Sequence, residues 1–368
     1  MSSTGATLEE VRRGELGDQP ELDQRRLRRR LVILLFAVVV IVAIVTLVPG
    51  LASLRTRFSH ARWEWLVLGV ALKLLSGLSY VAVFRAVFCP RMTWRLSTEI
   101  GLSELGANAV VPTGGAGGLA LGAWALRRTG MPGDRIARRS VAFFLLTSLP
   151  NVIGVVVLGA LMAVGVIDSP VGLALTALPA AVAAGAIVAT LAAGRWARAA
   201  RHRAARTRGP RAKLPRVLDA IAGGVRESLQ LLREHNAWLV VGLIGYLAFD
   251  VMILWATFRA FGAAPALSVI WIGYLIGELG GLIPVPGGIG GVDLGLVGTL
   301  VLYHVPATSA TAAVLAYRAL ALWTPAIAGS AAFLLLRRTL RRETLALSDC
   351  AEGGEVEMIG RGRVRVSG

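Results

Sequence analysis

The sequence predicts an all-α polytopic membrane protein with about six spanning helices plus two glycine-broken re-entrant hairpins in an inverted repeat. Three observations lead to this fold class. The 368-residue chain is 55% hydrophobic and only 17% charged, which is more apolar than a typical soluble domain. Its apolar residues are gathered into runs of membrane-spanning length. A motif rich in glycine and proline occurs twice within these apolar surroundings.

Six apolar runs are roughly 20 residues or longer, which is enough to cross about 30 Å of hydrocarbon. They cover residues 31–50, 65–88, 141–167, 171–193, 238–258 and 310–336. The segment 1–30 is polar and basic, and its composition predicts a disordered cytoplasmic tail. We therefore expect a membrane domain at 31–338, followed by a second polar cytoplasmic tail at 339–368.

Short matches between the two halves of the chain recur at a nearly constant spacing. WLVLG in the first half matches WLVVG in the second, and the motifs ELG and PxxxG each occur in both, at offsets of 173 to 175 residues. Because the matches keep their order, they indicate a duplicated unit of helix, broken segment and helix. Repeat one covers about 65–154 and repeat two about 238–329.

The distribution of arginine predicts that the two units cross the membrane in opposite directions. Cytoplasmic loops retain Lys and Arg, and these residues cluster at 25–30, at 337–342 and in the linker 195–235, which carries eleven of them. The loop after the first broken segment is basic, whereas 303–309, after the second, contains neither Lys nor Arg. We therefore expect a multi-pass plasma-membrane protein with both termini in the cytoplasm.

The two broken segments read VPTGGAGG at 111–118 and VPGGIGG at 285–291. Proline and glycine interrupt a helix, and the freed backbone groups must be buried in protein or line a polar cavity. Interrupted helices in inverted repeats form the substrate sites of many transporters. The alternative is that these small residues only let helices pack closely. The candidate substrate-binding residues are Pro112, Gly114, Gly115, Pro286, Gly287, Gly288 and Gly290.

Ionisable side chains inside the apolar segments are the other candidates. A charge at membrane depth costs about 2.5–3.5 kcal/mol, so such groups are normally paired, protonated or in contact with water. Arg318 falls near mid-span, with Glu278 or Asp293 as its natural partner, and its forked guanidinium also suits a phosphate. A structural ion pair, interfacial acids and packing tyrosines are the alternatives. The candidates are Glu104, Tyr274, Glu278, Asp293, Tyr317 and Arg318, with Lys73 and Asp250 expected along the same cavity.

The sequence contains no recognisable catalytic, metal-binding or cofactor-binding motif. The four histidines are scattered, the two cysteines have no ligand spacing, and neither glycine run continues into Gly-Lys-Ser/Thr. The net charge of +17 would suit nucleic acid, but arginines that flank membrane spans explain it more simply. We expect a protein that is not an enzyme and has no metal, cofactor or nucleic-acid partner.

The motif VPGGIGGVD, followed by Tyr-Arg and W-x-P-x-x-x-G, resembles the C-terminal half of the lysylphosphatidylglycerol synthase transmembrane, or flippase-like, family. The resemblance extends over about 30–338 and implies a polytopic lipid translocator. We expect only the membrane half of this family, without its soluble aminoacyl-transferase domain. The matching positions are Pro286, Gly287, Gly288, Gly290, Asp293, Arg318, Trp323 and Pro325.

The expected function is movement of an anionic lipid, or a lipid-linked phosphate carrier, between the leaflets of the plasma membrane. Membrane lipids are then the partners, with the two broken segments and Arg318 at the headgroup. Two other classes stay open: an ion-coupled small-solute transporter, and a non-transporting membrane partner of a cell-envelope enzyme. A lateral opening toward lipid would favour the first class, and a closed aqueous site the second.

Overall fold

A computed structural model describes residues 61–110, 116–167, 171–172, 177–189, 192, 213–234, 236–279 and 291–342. The predicted tail 1–30, the predicted span 31–50, most of the predicted tail 339–368 and the linker residues before 213 lie outside this part of the chain. So do 111–115 and 280–290, the centres of the two broken segments. All regular elements within the described residues are α-helices.

The fold is that of an all-helical membrane protein, as the sequence predicts. Four helices, α1, α4, α7 and α10, are long and apolar enough to cross a membrane, and they confirm four of the predicted spans. Within the predicted span 171–193, the described residues 177–189 form helix α5, which is apolar. The described helices are α1 (Trp63–Phe88), α2 (Trp94–Val110), α3 (Ala116–Arg128), α4 (Gly133–Ala163), α5 (Ala177–Ala189), α6 (Lys213–Arg233), α7 (Ala237–Ala260), α8 (Leu267–Leu279), α9 (Gly291–Leu302) and α10 (Ala307–Arg342).

The duplication is visible in the backbone. Each repeat consists of a long helix, two short helices and a second long helix, α1–α4 and α7–α10. The turn between the last two helices is the same in both repeats. It places Gly130 (φ 84°) and His304 (φ 63°) in the left-handed region. The next amide, of Met131 or Val305, donates to a carbonyl five residues earlier at 3.2 and 3.0 Å, a Schellman-type ending of the preceding helix.

The two repeats are inverted with respect to each other. Helices α1 and α7 hold the same place in their repeats, and they pack side by side in opposite directions. The amide of Arg62, before α1, donates to the carbonyl of Ala260 at the end of α7 at 2.9 Å. At the other end, the Trp94 ring, just after α1, meets the edge of Trp238 at the start of α7, with centroids 5.0 Å apart. The arginine pattern had predicted this antiparallel relation.

The helices on either side of each broken segment pack antiparallel to each other, α2 with α3 and α8 with α9, and we call these two pairs hairpins. Helix α8 has 13 residues and α9 has 12. At 1.5 Å per residue the described part of each helix is about 20 Å long. In the first hairpin the Asn108 side chain accepts the Gly118 amide at 2.7 Å. The facing pairs are Asn108–Gly118 and Glu104–Gly122 in the first hairpin, and Gly277–Leu296 and Gly273–Leu300 in the second.

Each hairpin packs against the last long helix of the other repeat, α2 against α10 and α8 against α4. The glycines of the PxxxG motifs allow this packing. Gly329 of α10 meets Gly106 of α2 so closely that a Cβ on Gly106 would lie 2.8 Å from the Gly329 Cα. The equivalent Gly154 of α4 faces Leu275 of α8. Each repeat thus packs its hairpin against the other repeat.

The linker predicted at 195–235 contains helix α6, which packs against α4. Arg139 at the start of α4 donates to Glu227 of α6 at 2.8 Å. The same guanidinium donates to the carbonyls of Val87 and Phe88 at the end of α1, at 2.6 and 2.9 Å. A cation at a helix C-terminus is favourable because it faces carbonyls that have no partner within the helix. Arg139 thus joins the linker helix α6 to the first and last helices of repeat one, α1 and α4.

Candidate functional site

A polar cavity of about 290 Å³ lies among α1, α4, α7, α8 and α10. All but two of its lining residues, Leu247 and Ala321, carry a polar group. In a protein whose long helices are apolar, such a lining requires water or a polar ligand to satisfy it. The polar lining residues are Lys73, Thr147, Ser148, Asn151, Tyr246, Asp250, Tyr274, Glu278, Tyr317 and Arg318.

The first ion pair of the cavity joins the two central helices. Lys73 Nζ of α1 lies 2.8 and 3.1 Å from the two carboxylate oxygens of Asp250 on α7. Both side chains are largely buried, with 12% and 6% of their surface exposed. The Tyr274 hydroxyl of α8 donates to the same carboxylate at 3.4 Å. Lys73 and Asp250 therefore line the cavity as the sequence predicts, and their charges cancel.

The second ion pair connects the cavity to the start of α9, beside the second broken segment. Arg318 Nε donates to Asp293 Oδ1, so Asp293 is the closer of the two partners that the sequence suggested. Another nitrogen of the same guanidinium, Nη2, is buried and has no hydrogen-bond partner among the described residues. An arginine nitrogen in this state is a ready donor for an oxygen of a ligand.

Glu278 is the third carboxylate near the cavity. It lies one turn after Tyr274 on α8 and lines the cavity with Arg318. Among the described residues it forms no ion pair, since Lys73 pairs with Asp250 and Arg318 with Asp293. With all five groups ionised, the cavity would carry one uncompensated negative charge, located on Glu278.

The structure brings five of the predicted site residues together. Tyr274, Glu278, Tyr317 and Arg318 line the cavity, and Asp293 joins it through Arg318. The Tyr274 and Tyr317 rings meet edge to face, with centroids 6.1 Å apart. The predicted residues Pro112, Gly114, Gly115, Pro286, Gly287, Gly288 and Gly290 lie outside the described part of the chain.

Glu104, the counterpart of Glu278 in repeat one, does not line this cavity. Its side chain is buried beside Tyr80 of α1 and Gly122 of α3. A much smaller cavity of about 20 Å³ lies on the repeat-one side, and it shares Lys73 and Tyr246 with the larger one. The two acids are thus duplicated in sequence but stand in different environments.

Helix α4 supplies cavity residues that the sequence analysis missed. Thr147, Ser148 and Asn151 flank Pro150, which lies inside the helix. Thr147 donates its hydroxyl proton to the Phe143 carbonyl at 2.9 Å and keeps its oxygen lone pairs available. The cluster of polar residues around a proline inside an apolar span was a signal that could have found them. Tyr246 of α7 was also missed, and nothing distinguishes it in sequence from a packing tyrosine.

The fold and the cavity define a multi-pass membrane protein built as an inverted repeat around a polar, ion-paired site. The family model described as the lysylphosphatidylglycerol synthase TM region matches residues 33–329. The chain belongs to this family, as the motifs of repeat two indicated, and the family associates it with lipid handling. No curated protein matches the chain.

Proposed function

We propose that the protein moves an anionic phospholipid, or another lipid-linked phosphate, between the leaflets of the plasma membrane. The observation that carries this proposal is Arg318, which lines the polar cavity and whose buried Nη2 has no partner among the described residues. The headgroup would occupy the cavity while the acyl chains stay in the bilayer. The protein would act as a transporter and would catalyse no chemical step.

The size of the cavity suits a headgroup better than a whole lipid. About 290 Å³ is at the lower end of small-molecule sites, which run from about 300 to 1,000 Å³. The Arg318 guanidinium directs one nitrogen at Asp293 and leaves another for a phosphate oxygen. The hydroxyl and amide groups of α4 on the cavity wall add neutral hydrogen-bond partners.

The surroundings of the cavity support access from the lipid. Phe144, one turn before Thr147 on α4, is 66% exposed. A polar lining thus lies next to an apolar surface on one helix, as a lipid with a polar head and apolar tails requires. This arrangement favours a lipid over a free small solute, which is the second candidate.

We propose that the two hairpins are re-entrant and enter the membrane from opposite faces. The antiparallel packing of α2 with α3 and of α8 with α9 supports this proposal, because such a pair would return the chain to the face from which it came. With the arginine-rich segments in the cytoplasm, the α2–α3 hairpin opens to the cytoplasm and the α8–α9 hairpin to the outside. Both termini are then cytoplasmic.

The test is a lipid-translocation assay in phosphatidylcholine vesicles that contain the full chain and a trace of fluorescent phosphatidylglycerol. Added dithionite bleaches the fluorophore in the outer leaflet at once and the rest only as it is translocated. Arg318→Ala should slow translocation about 10- to 100-fold, since a hydrogen bond to a charged group contributes about 1.5–3 kcal/mol. Arg318→Lys should fall between Ala and the unmodified chain, because lysine keeps the charge but not the fork.

The matched control is Arg138→Ala, which removes an exposed arginine that pairs with Asp134 on the surface of α4 at 2.9 Å. This variant should translocate lipid at the rate of the unmodified chain. If the unmodified chain moves no lipid but imports soluble glycerol phosphate, the small-solute class is correct. Equal slowing by Arg318→Ala and Arg138→Ala would remove Arg318 from the site.

A further inference from the structure

We propose that Glu278 couples headgroup movement to protons, taking up one proton as the phosphate enters the cavity and releasing it when the phosphate leaves. The inference rests on the proposed function, since it assumes a phosphate-bearing headgroup at the same site. It adds an energy source, a proton gradient, and assigns a residue to the coupling.

The argument starts from the charges of the cavity. Lys73 and Asp250 form one neutral pair, and Arg318 and Asp293 form a second. Glu278 adds one negative charge that no described cation offsets within ion-pair distance. A phosphate monoester or diester that entered this cavity would bring another negative charge close to the first. A proton on Glu278 removes that repulsion and turns its carboxyl group into a hydrogen-bond donor.

The groups that act on Glu278 come from every helix packed around it. The charged ones are Lys73 of α1, Asp250 of α7, Asp293 of α9 and Arg318 of α10. The titratable tyrosines at the cavity are Tyr246, Tyr274 and Tyr317, which stay neutral over the physiological range. Helix α4 contributes only hydroxyl and amide groups. Since both cations already face a carboxylate, Glu278 is the group whose charge can change at least cost to the ion pairs.

The duplication supplies an internal comparison. Glu104 has the same place in repeat one, but it is enclosed by Tyr80 and Gly122 and does not line the cavity. If any buried carboxylate could couple lipid binding to protons, Glu104 and Glu278 would both do so. A coupling role that depends on the cavity belongs to Glu278 alone.

An amine-bearing headgroup is the competing way to neutralise Glu278. An ammonium group could pair with the carboxylate while the phosphate contacts Arg318. That arrangement needs an ionised Glu278 and no added proton, so it predicts a preference for aminophospholipids that does not weaken as the pH rises. The two models therefore differ in the pH dependence of binding.

The first experiment measures the Kd of fluorescent phosphatidylglycerol for the purified full chain in detergent micelles, from about pH 5 to about pH 9. The phosphodiester keeps a single charge over this range. Uptake of one proton per lipid weakens binding about tenfold per pH unit once Glu278 is ionised in the free protein. Glu278→Gln, a mimic of the protonated acid, should bind with the low-pH affinity at every pH. Glu104→Gln should keep the slope of the unmodified chain.

The second experiment uses the vesicles described above with a pH difference across the membrane. The unmodified chain should drive fluorescent phosphatidylglycerol toward the alkaline side, and a pH dye enclosed in the vesicles should report the accompanying protons. Glu278→Gln should exchange lipid between leaflets without responding to the gradient. Glu278→Asp keeps a titratable group and should retain the response to the gradient. It therefore controls for the possibility that Glu278→Gln loses the response through misfolding.

Each outcome bears on one of the two proposals. If lipid binding depends on pH but the protein translocates no lipid, the proposed function is overturned, and the coupling between proton uptake and phosphate binding stands. Translocation with a flat pH dependence overturns the coupling alone. The coupling is also overturned if Glu278→Gln keeps the slope of the unmodified chain, or if phosphatidylethanolamine is preferred at all pH values and that preference is lost in Glu278→Gln.

Discussion

The pairing of Lys73 with Asp250 shows how the protein holds charge between its two central helices. Breaking a buried pair by removing one partner is strongly destabilising, whereas replacing both partners is often nearly neutral. Lys73→Met should therefore lower the free energy of unfolding by about 3–5 kcal/mol. Lys73→Met combined with Asp250→Asn should recover most of this loss, because the amide still accepts the Tyr274 hydroxyl proton. Thermal unfolding of the purified variants, arranged as a double-mutant cycle, measures the coupling. Simple additivity of the two changes would contradict the pairing.

The sequence predicted the chemical types at the site but left the pairs undetermined. Arg318 had two possible acidic partners, and only the approach of α9 to α10 selects Asp293. The equivalent positions Glu104 and Glu278 looked alike, and only the packing of Tyr80 and Gly122 separates them. Such distinctions depend on which faces of distant helices meet, and local sequence patterns do not encode that.

At the scale of elements, the glycine contact between α2 and α10 leaves no room for an added methyl group. A Cβ on Gly106 would lie 2.8 Å from the Cα of Gly329 and 3.0 Å from the Pro325 carbonyl oxygen. Because these obstacles are backbone atoms, the helices must separate, and Gly106→Ala should cost about 1–3 kcal/mol or more. The control is Gly298→Ala on α9, where nothing lies within 4 Å. There the methyl should stabilise the helix by about 1 kcal/mol. Equal thermal shifts in the two variants would exclude close packing as the reason for Gly106.

The repeated turn offers a second test at this scale. Gly130 and His304 occupy the same left-handed position, but only glycine adopts it without strain. His304→Gly should stabilise the protein by roughly 0.5–1 kcal/mol, and Gly130→Ala should destabilise it by about as much or more. Thermal unfolding of the two variants measures whether each change raises or lowers the stability. A destabilised His304→Gly would mean that the histidine side chain makes a contact that outweighs its backbone strain.

Helix positions were more predictable than helix ends and interactions. Hydropathy located α1, α4, α7 and α10, since a long apolar run has few other solutions. It ended α10 near residue 336, whereas the helix continues to Arg342, because arginines after a span are as compatible with a helix as with a loop. Helix α6 was missed because its residues were interpreted only as a basic linker, although its apolar residues recur with helical spacing.

At the scale of the whole molecule, the inverted repeat makes the two faces of the membrane domain similar in backbone and unequal in chemistry. Helix α8 lines the larger cavity, α2 lines the smaller one of about 20 Å³, and α10 lines both. Lys73 and Tyr246 line both, so the centre of the molecule is common to the two sides.

The membrane orientation of the repeats gives the last prediction. Asp134 and Thr308 are exposed equivalent positions at the starts of α4 and α10, and Arg91 is exposed just after α1. If both hairpins are re-entrant, Arg91→Cys and Asp134→Cys lie on the cytoplasmic side and Thr308→Cys on the outside. In intact cells that carry a variant without the native cysteines, a membrane-impermeant maleimide should label only Thr308→Cys. In permeabilised cells the maleimide should label all three variants.

Other labelling patterns show which part of the predicted topology is wrong. The cysteine at position 91 reports the side of the membrane on which α1 ends, independently of the first hairpin. Labelling of Asp134→Cys but not Arg91→Cys in intact cells would mean that the α2–α3 pair crosses the membrane as one broken span. Labelling of both, with Thr308→Cys protected, would keep the re-entrant hairpins but reverse the protein in the membrane. In that case the clustered arginines would face outward, and the charge rule from which the orientation was predicted would fail for this chain.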